Sequence, residues 1–372
     1  MTCSTISSAR RVPLRLLLAA ALLAAGCRHP GLPPPPAGVR IALFPMANLA
    51  GTAAPVREIQ GAVEHSLRAR GLDLVPRDRL EEFLARHRVR WTSGIDSDVG
   101  RAAKEELGVD YVLVSSLDLY ASIGLPRLAL AMRLVTASED PEIRWIDADA
   151  RAGDDHPGLF SLGLVSSVKV LEERAIAALT GSLVASLAGR PLPAGGCAPA
   201  SGPRILFRSR QPLGVERPRV AILPFRDETP RPDAGEIVSF QLLRWLVRAP
   251  GIRVIEPGVV RGTLLRSRVV MEGGVNHEAA RVAFGALGAD AVISGTVHIY
   301  EELPVPRVEL SALALATWDN RVVWHSTSHG RGDDGVFFFD AGRVGTTDAL
   351  ACSLVRAVAA ELAAAMTGRR VP

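Results

Sequence analysis

The sequence repeats one pattern of landmarks in its two halves, and this repeat limits the folds that the chain can adopt. Residues 41–45 (IALFP) match residues 220–224 (VAILP), and residues 107–110 (LGVD) match residues 287–290 (LGAD). A unit of this size far exceeds the roughly 20–50 residues of solenoid repeats. The sequence therefore predicts two tandem copies of one domain. Further landmarks keep the same offset of 179 or 180 residues: Tyr120 and Tyr300, Pro126-Arg127 and Pro306-Arg307, Trp145 and Trp324, and Asp154-Asp155 and Asp333-Asp334.

Each copy has the pattern of an α/β domain. It opens with an apolar run that ends at a proline, which is typical of a buried β-strand. A helix follows, with Val56, Ile59, Val63 and Leu67 at helical spacing in the first copy. Strands separated by helices are then followed by strands in succession and a long final helix. This order predicts a mixed β-sheet packed with helices in each copy.

The N-terminus has the features of an export signal. Arg10, Arg11 and Arg15 supply positive charge, and residues 14–25 are almost entirely Leu and Ala. This apolar run is shorter than the roughly 20 residues that span a bilayer, but it suits a secretory signal. Residues 23–27 (LAAGC) resemble the lipobox of bacterial lipoproteins. The resemblance implies cleavage before Cys27, a diacylglycerol on its sulfur and a fatty acid such as palmitate on its amino group.

Two alternatives to the lipobox stay open. Cys27 can be incidental to an ordinary signal peptide, and the adjacent Arg10 and Arg11 also fit a twin-arginine signal.

Two or more acyl chains hold a protein on a membrane, whereas one binds only marginally. In lipoproteins an Asp after the lipidated Cys favours inner-membrane retention. Arg28 at that position therefore implies the outer membrane, on the periplasmic side, with the inner membrane as the alternative.

The predicted boundaries follow from composition. Residues 33–36 are four consecutive prolines, and a polyproline II segment extends about 3.1 Å per residue. The tether therefore spans only about 35 Å, and no other stretch of the mature chain is apolar enough to predict a spanning helix. The predicted segments are a signal peptide (1–26), a lipidated and Pro-rich tether (27–38), a first α/β domain (39–188), a Gly/Pro-rich linker (189–218) and a second α/β domain (219–372).

Charge and cysteine content narrow the function. The formal net charge is +4, and loss of the three signal-peptide arginines leaves about +1, so nucleic acid is not an expected partner. Cys197 and Cys352 are the cysteines that remain besides Cys27 and the signal residue Cys3. An oxidising periplasm permits a disulfide between them. The alternative is a buried Cys352 and an incidental Cys197.

The motifs that are clearest in the second copy resemble a known family. They are residues 220–225 (VAILPF), 227–229 (DET), 251–255 (GIRVI) and 287–295 (LGADAVISG). Their order resembles the curli-secretion lipoprotein superfamily (CsgG-like), which includes activators of penicillin-binding proteins (LpoB-like), and the similarly folded amino-terminal domain of TolB. The resemblance implies a binding or assembly role. The charged residues Arg127 and Arg133 interrupt the first predicted hairpin, so the long membrane hairpins of the curli channel are not expected.

No set of residues predicts catalysis. His325 and His329 lie near Asp333, but four residues on a strand span about 13 Å, so no metal site is expected. Asp154-Asp155 and Asp333-Asp334 suit turns or helix starts. Residues 272–274 (EGG) lack the Lys and Ser/Thr of a phosphate loop, and no Ser lies in a nucleophile elbow. The chain is predicted to be no enzyme, with no nucleotide and no cofactor beyond the lipid on Cys27.

Phe337, Phe338 and Phe339 form the one aromatic run of note. Three consecutive aromatic side chains cannot all face one core, and an exposed aromatic favours recognition. We therefore predict a partner contact here, with Phe160 as its counterpart in the first copy. The alternative is that these side chains serve packing alone.

The function predicted from the sequence is that of a non-enzymatic, membrane-anchored periplasmic lipoprotein. It acts as a binding, scaffold or assembly factor of the cell envelope, with an envelope protein as its partner. Two alternatives are an oligomeric component of an outer-membrane secretion apparatus and an activator of a peptidoglycan synthase.

Overall fold

Two mixed β-sheets with helices packed on them make up the fold. The computed structural model describes residues 38–155, 163–190, 196–198, 200–269, 277–337 and 342–368. The chain from Pro34 to Pro372 is one compact unit. The fold class predicted from the sequence is confirmed: the chain is mixed α/β, with two mixed sheets and a long C-terminal helix.

The first half consists of β1 (Arg40–Leu43), β2 (Ala47–Asn48), α1 (Val56–Ala69), β3 (Asp73–Leu74), α2 (Arg77–Arg86), α3 (Ser97–Ala102) with a π-helical turn (Ala103–Leu107), β4 (Tyr111–Ala121), β5 (Arg127–Thr136), β6 (Ile143–Ala152) and α4 (Val168–Leu187). Its six strands form one sheet in the order β3-β1-β4-β5-β6, with β2 paired to β4. The strand β1 is parallel to β3 and β4, and β4, β5 and β6 are antiparallel.

The second sheet repeats this order and adds one strand. The second half consists of β7 (Arg204–Arg208), β8 (Arg219–Ile222), β9 (Arg226–Asp227), α5 (Ala234–Arg248), β10 (Arg253–Val254), α6 (Pro257–Arg266), α7 (His277–Leu287), β11 (Ala291–Glu301), β12 (Arg307–Ala316), β13 (Val322–Arg331) and α8 (Thr347–Thr367). The strand order is β10-β8-β11-β12-β13-β7, with β9 paired to β11, and β7 comes from within the predicted linker. The domain boundaries and the duplication itself stay predictions.

The repeated Gly-x-Asp motif joins a helix to a strand in both halves. Gly108 and Gly288 have φ of 62° and 57°, the left-handed conformation that ends a helix with least strain in glycine. Two residues later, the carboxylate of Asp110 accepts a hydrogen bond from the backbone N–H of Arg40 at 3.0 Å. Asp290 does the same for Arg219 at 2.8 Å. The motif therefore fixes the start of the central strand beside its neighbour.

The two sheets differ in how far the helices cover one of their faces. Along β12 buried and half-buried residues alternate, which is typical of a strand with one covered face. Its counterpart β5 is buried at nearly every position. The difference arises because α5 packs on the second sheet with one side and on the first sheet with the other. Ile237 and Leu246 belong to the second core, whereas Phe240 faces β5 and β6 of the first half.

The C-terminal helix belongs to the second core. Among the described residues, α8 is the helix whose length and apolar composition would allow it to cross a membrane. However, 67% of its most apolar window is buried within the fold. Leu354, Val355, Val358 and Leu362 pack in the same core as Trp324 of β13. Its apolar character is therefore accounted for by packing against the sheet.

Candidate functional site

A buried ion pair joins the first sheet to the second half. The guanidinium of Arg133 on β5 donates two hydrogen bonds to the carboxylate of Glu256, with N···O distances of 3.0 and 2.9 Å. The two side chains are 4% and 0% exposed. Arg133 also donates to the carbonyl of Ser93 at 2.6 Å and lies over the ring of Phe240. Such saturation of hydrogen bonds is what a buried ion pair needs to offset its desolvation.

A second ionic cluster lies farther along the same interface. Asp147 on β6 accepts hydrogen bonds from Arg244 at 2.5 Å and from Arg248 at 3.1 Å, both on α5. Ser182 of α4 donates to its other oxygen at 2.7 Å. Burial lowers the pKa of Arg244, and the carboxylate of Asp147 opposes that shift. These charges are committed to each other, so they hold the halves together rather than face a substrate.

This interface is not evident from the sequence. Its partners are 97 to 123 residues apart in the chain, and no local pattern connects them. One signal was present: Arg133 interrupts an otherwise apolar strand. In the sequence that arginine counts against a membrane hairpin, and in the structure it has a buried partner.

A cavity of about 520 Å³ lies beside the second ionic cluster, between β6 and the helices α4, α5 and α8. This volume is within the usual range of ligand pockets. Much of its charged lining is paired within the protein, as in the Asp149–Arg151 contact at 2.6 Å. The charged residues that line it are Asp118, Asp147, Asp149, Arg151, Asp155, Arg244, Arg343 and Asp348.

Two buried carboxyl groups at this cavity have raised pKa values. Burial raises the pKa of Asp118 to about 6 and that of Asp348 to about 7. The hydrogen bond from Ser116 and the charge of Arg231 oppose the shift at Asp118, and Arg231 also opposes it at Asp348. Neither carboxylate oxygen of Asp348 has a hydrogen-bond partner of regular geometry. The ionised form of Asp348 is therefore poorly compensated.

The predicted disulfide residues lie together on the wall of this cavity. Cys197 and Cys352 are placed in disulfide contact with a Cα–Cα distance of 5.8 Å, within the usual range for such bonds. Cys352 is buried on α8, and the backbone carbonyl of Cys197 accepts a hydrogen bond from Arg356. Formation of the bond in the envelope stays a prediction.

The other predicted site residues are only partly described. Cys27, Phe160, Phe338 and Phe339 lie outside the described residues. Phe337 is 80% exposed. Its role as a partner contact stays a prediction.

The structure describes the two histidines and the two aspartate pairs that stand out in the sequence. Among the described residues, no group of three metal-ligating side chains comes together, and this includes His325 and His329. The second Asp of each repeated pair closes a turn. Asp155 accepts from the backbone N–H of Ala152, and Asp334 from that of Arg331, both at 2.8 Å.

Large apolar side chains are exposed at the same place in both halves. Ile123, in the β4–β5 hairpin, is 93% exposed, and Leu303, in the β11–β12 hairpin, is 67% exposed. Each hairpin is joined to the loop before the last helix of its half, because Pro126 and Pro306 accept hydrogen bonds from Gly153 and Gly332. We call this surface the apolar tips. It consists of Ile123, Leu164, Leu303, Val336 and Phe337.

The two tips lie at one end of the molecule. The loops that carry them meet through an ion pair between Asp154 and Arg343 at 3.5 Å. The bases of the two hairpins meet through Arg127 and Glu302 at 3.9 Å. Since Ile41 of β1 pairs with Tyr111, the start of β4, the tips lie about 33 Å from the start of β1.

Comparisons with known proteins show similarity to solved structures only. No protein-family model matches the sequence, and no curated protein matches it. A PelC dodecamer from Paraburkholderia phytofirmans is 20% identical at a TM-score of 0.31, covering 45% of this chain and 100% of that one. The lipoprotein GNA1162 from Neisseria meningitidis is 15% identical at 0.29, covering 39% and 99%.

The LpoB C-terminal domain from Salmonella enterica is also similar, with 20% identity at a TM-score of 0.27 over 37% of this chain and 93% of that one. It represents one branch of the family that the sequence motifs resemble. Similarity at these identities and TM-scores establishes neither a shared family nor a shared function.

We predict that Glu256→Gln lowers the free energy of unfolding by about 3–5 kcal/mol, because it leaves the Arg133 cation buried without a counter-charge. The control is Glu142→Gln, which breaks another pair between the halves, with Arg253. Both partners of that pair are about half exposed, so a loss below about 1 kcal/mol is expected. Urea unfolding of the purified proteins measures both. Equal losses would show that the buried pair does not carry the interface.

We also predict that Asp348→Asn raises the free energy of unfolding by an amount that depends on pH. A carboxyl group with a raised pKa keeps its proton in the folded state while the unfolded state has released it. The free energy of unfolding of the wild type therefore falls between about pH 4 and pH 7. Asn cannot ionise, so the variant is expected to equal the wild type at low pH and to exceed it in stability at pH 8. Thermal unfolding at several pH values measures this, with Asp98→Asn, at an exposed carboxyl, as the control for net charge. A pH-independent difference would contradict it.

Proposed function

We propose that this chain is a lipid-anchored lipoprotein of the bacterial envelope that acts by binding another envelope protein, without catalysis. The observation that carries the binding role is the presence of apolar tips at the same place in both halves. Ile123 and Leu303 occupy equivalent hairpins, and Phe337 extends the second tip. A single exposed apolar residue needs no explanation, but a recurring group of them marks an interaction surface.

The energetics favour burial of these tips in a complex. Burying a large aliphatic or aromatic side chain contributes about 1.5–3 kcal/mol, and aromatic residues are over-represented among the residues that dominate interfaces. Phe337, Leu303 and Ile123 are each more than 60% exposed, so most of that gain is still available to a partner. The ion pairs between the loops, such as Asp154–Arg343, hold the tips in place before binding.

The position of the tips suits a protein anchored at its N-terminus. The motif at residues 23–27 supports a lipid on Cys27, and Arg28 supports the periplasmic side of the outer membrane. The folded chain begins at β1, at the end of the sheet opposite to the tips. With a tether of about 35 Å, this arrangement directs the tips away from the anchoring membrane and toward the periplasm.

The chemistry of the interior supports a role without turnover. Glu256, which is buried, and Asp147, which is partly buried, are engaged by arginines of the other half of the molecule. Such pairing stabilises the ionised forms of these two carboxylates and does not favour either of them as a general base. The buried charge serves the rigidity of the binding surface.

The lipid anchor predicts the location of the protein. Cys27→Ser removes the thiol that would carry the lipid, so the protein is expected to move from the outer-membrane fraction to the soluble periplasmic fraction. Cys3→Ser, in the signal segment, is the control and should leave the fractionation unchanged. Fractionation with immunoblotting, together with mass spectrometry of the N-terminal peptide, measures this. Retention of Cys27→Ser in the outer-membrane fraction would contradict the anchor.

The apolar tips predict the site of partner binding. A Phe337→Ser/Leu303→Ser double variant is expected to lose at least 90% of the crosslinked complex formed in cells. Both substitutions remove a large apolar side chain of the tips, and a few such residues carry most of the binding energy of an interface. The control, Phe284→Ser, removes a Phe on α7 that is also exposed, at 51%. Mass spectrometry of the crosslinked species identifies the partner.

The identity of that partner separates the alternatives. A large homo-oligomer would favour the secretion apparatus, and a peptidoglycan synthase would favour the activator. If the double variant forms as much complex as the wild type, the apolar tips are not the binding surface.

A further inference from the structure

The end of the molecule where the tether meets the fold is formed by both halves. The turn between β5 and β6 lies beside the start of β4, because the backbone N–H of Ala137 donates to the carbonyl of Asp110 at 2.9 Å. Asp140 of this turn lies 3.8 Å from Arg219, at the start of β8. The central strands of both sheets therefore start at the same end, opposite to the apolar tips, and the chain enters β1 from the tether there.

In the first half, two exposed basic residues at this end have no acidic partner. Arg88 follows α2, whose Arg86 lies 2.5 Å from Glu106, in the π-helical turn that leads to β4. Lys104 belongs to the same turn and lines a surface depression together with Asp110. Neither Arg88 nor Lys104 forms an ion pair with a described residue, so both charges are available to an external anion.

The second half contributes in the same way. Arg268 follows α6 as Arg88 follows α2, and both adopt the left-handed conformation, with φ of 56° and 53°. Arg266, in the last turn of α6, lies 3.7 Å from Asp98 on α3, which leads into the π-helical turn of the first half. Arg217 comes two residues before β8. Arg217 and Arg268 are exposed and form no ion pair within the described part of the chain.

The last helices of the two halves bring two more basic residues to this end. The helix α4 starts at the loop that is joined to the first tip, and its 20 residues extend about 30 Å, so it ends near the starts of the strands. Arg190 follows it. The helix α8 ends against the segment before β8, because the backbone N–H of Leu213 donates to the carbonyl of Met366 at 3.1 Å. Arg210 lies in that segment, and like Arg190 it is exposed.

Positive charge is concentrated where the tether leaves the fold. We call the six exposed residues the basic end: Arg88, Lys104, Arg190, Arg210, Arg217 and Arg268. The exposed acidic residues of the same loops and helix ends that have no ion-pair partner among the described residues are Glu105, Glu139 and Glu216. Three positive charges are thus in excess here. The whole mature chain carries only about +1, so the excess belongs to this end and not to the surface as a whole.

The tether and the charge together indicate what covers the basic end. Residues 28–38 connect Cys27 to the fold and span at most about 35 Å, so the anchoring bilayer always lies close to this end. Anionic phospholipids present phosphate groups, which arginine binds through two parallel hydrogen bonds. The headgroups of the anchoring membrane therefore have both the position and the charge that match the basic end.

We propose that the basic end docks on the anionic lipid headgroups of the membrane that holds Cys27. This inference rests on the lipid anchor proposed above and adds the orientation in which the anchored protein is held. Attraction to the headgroups acts within a Debye length of about 8–10 Å, which the tether allows the basic end to reach. Each basic residue near an anionic surface strengthens binding by about fivefold. Docking in this orientation directs the apolar tips into the periplasm.

Neutron reflectometry of the full-length lipidated protein on supported bilayers tests the proposal. It measures the thickness of the water layer between the headgroups and the folded protein. On phosphatidylcholine with about 30% phosphatidylglycerol, at about 0.1 M NaCl, the layer is expected to be thinner than about 10 Å. On phosphatidylcholine alone, or at about 1 M NaCl, it is expected to widen toward the tether limit of about 35 Å.

Charge reversal at two residues tests which surface docks. Lys104→Glu/Arg217→Glu removes the excess of positive charge, so on the anionic bilayer this variant is expected to show the wide water layer of the neutral bilayer. The control, Arg57→Glu/Arg174→Glu, makes the same charge change at exposed positions of α1 and α4 away from the basic end, and should dock as the wild type does. The comparison of bilayers with the wild type decides the proposal even if a variant fails to fold.

The outcomes separate docking from the anchor. Retention of the wild type with the same water layer on both bilayers would overturn docking and leave the anchor intact. A control variant that undocks as far as the charge-reversal variant would also overturn it, because total charge and not the basic end would then set the distance. Binding to the anionic bilayer alone would support the basic end but contradict the anchor, whereas binding to neither bilayer would contradict both.

Discussion

The helix α5 packs against both sheets at once, and the arrangement of the two halves depends on this contact. One side of the helix is an ordinary apolar stripe, with Ile237 and Leu246 in the core of the second half. The other side lies on the first sheet and carries Phe240, Arg244 and Arg248. A helix with two buried sides cannot leave either surface without exposing apolar area or unpairing a charge. The two halves are therefore one unit in energetic terms.

This shared helix also makes the halves unequal. The first sheet buries its inner strands on both faces, because α5 covers β5 and β6 on the face where α2 and α3 cover β1 and β4. In the second sheet α6 and α7 cover β8 and β11 in the same way, but no described helix takes the place of α5 over β12, which keeps an alternating pattern. The two halves thus differ: the first receives a helix of the other half on its sheet, whereas the second keeps the corresponding part of its sheet and an edge strand accessible.

The sequence predicted the fold well because the fold follows from local pattern. Apolar periodicity placed the strands and helices, and the constant offset between residues such as Trp145 and Trp324 predicted the repeated order. The contact between the halves was not predictable in this way. Arg133 and Glu256 are 123 residues apart, and Asp147 lies opposite arginines on a helix of the other half. A charge in a sequence carries no mark of whether it will be solvated or buried with a partner. The exposure of Ile123 and Leu303 was missed for a related reason, since composition alone cannot distinguish a packed apolar residue from an exposed one.

The origin of β7 has a consequence for how the chain reaches its final structure. This strand is made before the rest of the second half, but its pairing partner β13 is the last strand of the sheet. Cys197, just before it, likewise lies 155 residues from Cys352. Contacts between distant parts of a chain form slowly, because the intervening loop must close first. Residues 204–208 therefore stay unpaired until the rest of the sheet has formed, and during this interval the apolar segment makes the chain most prone to aggregate.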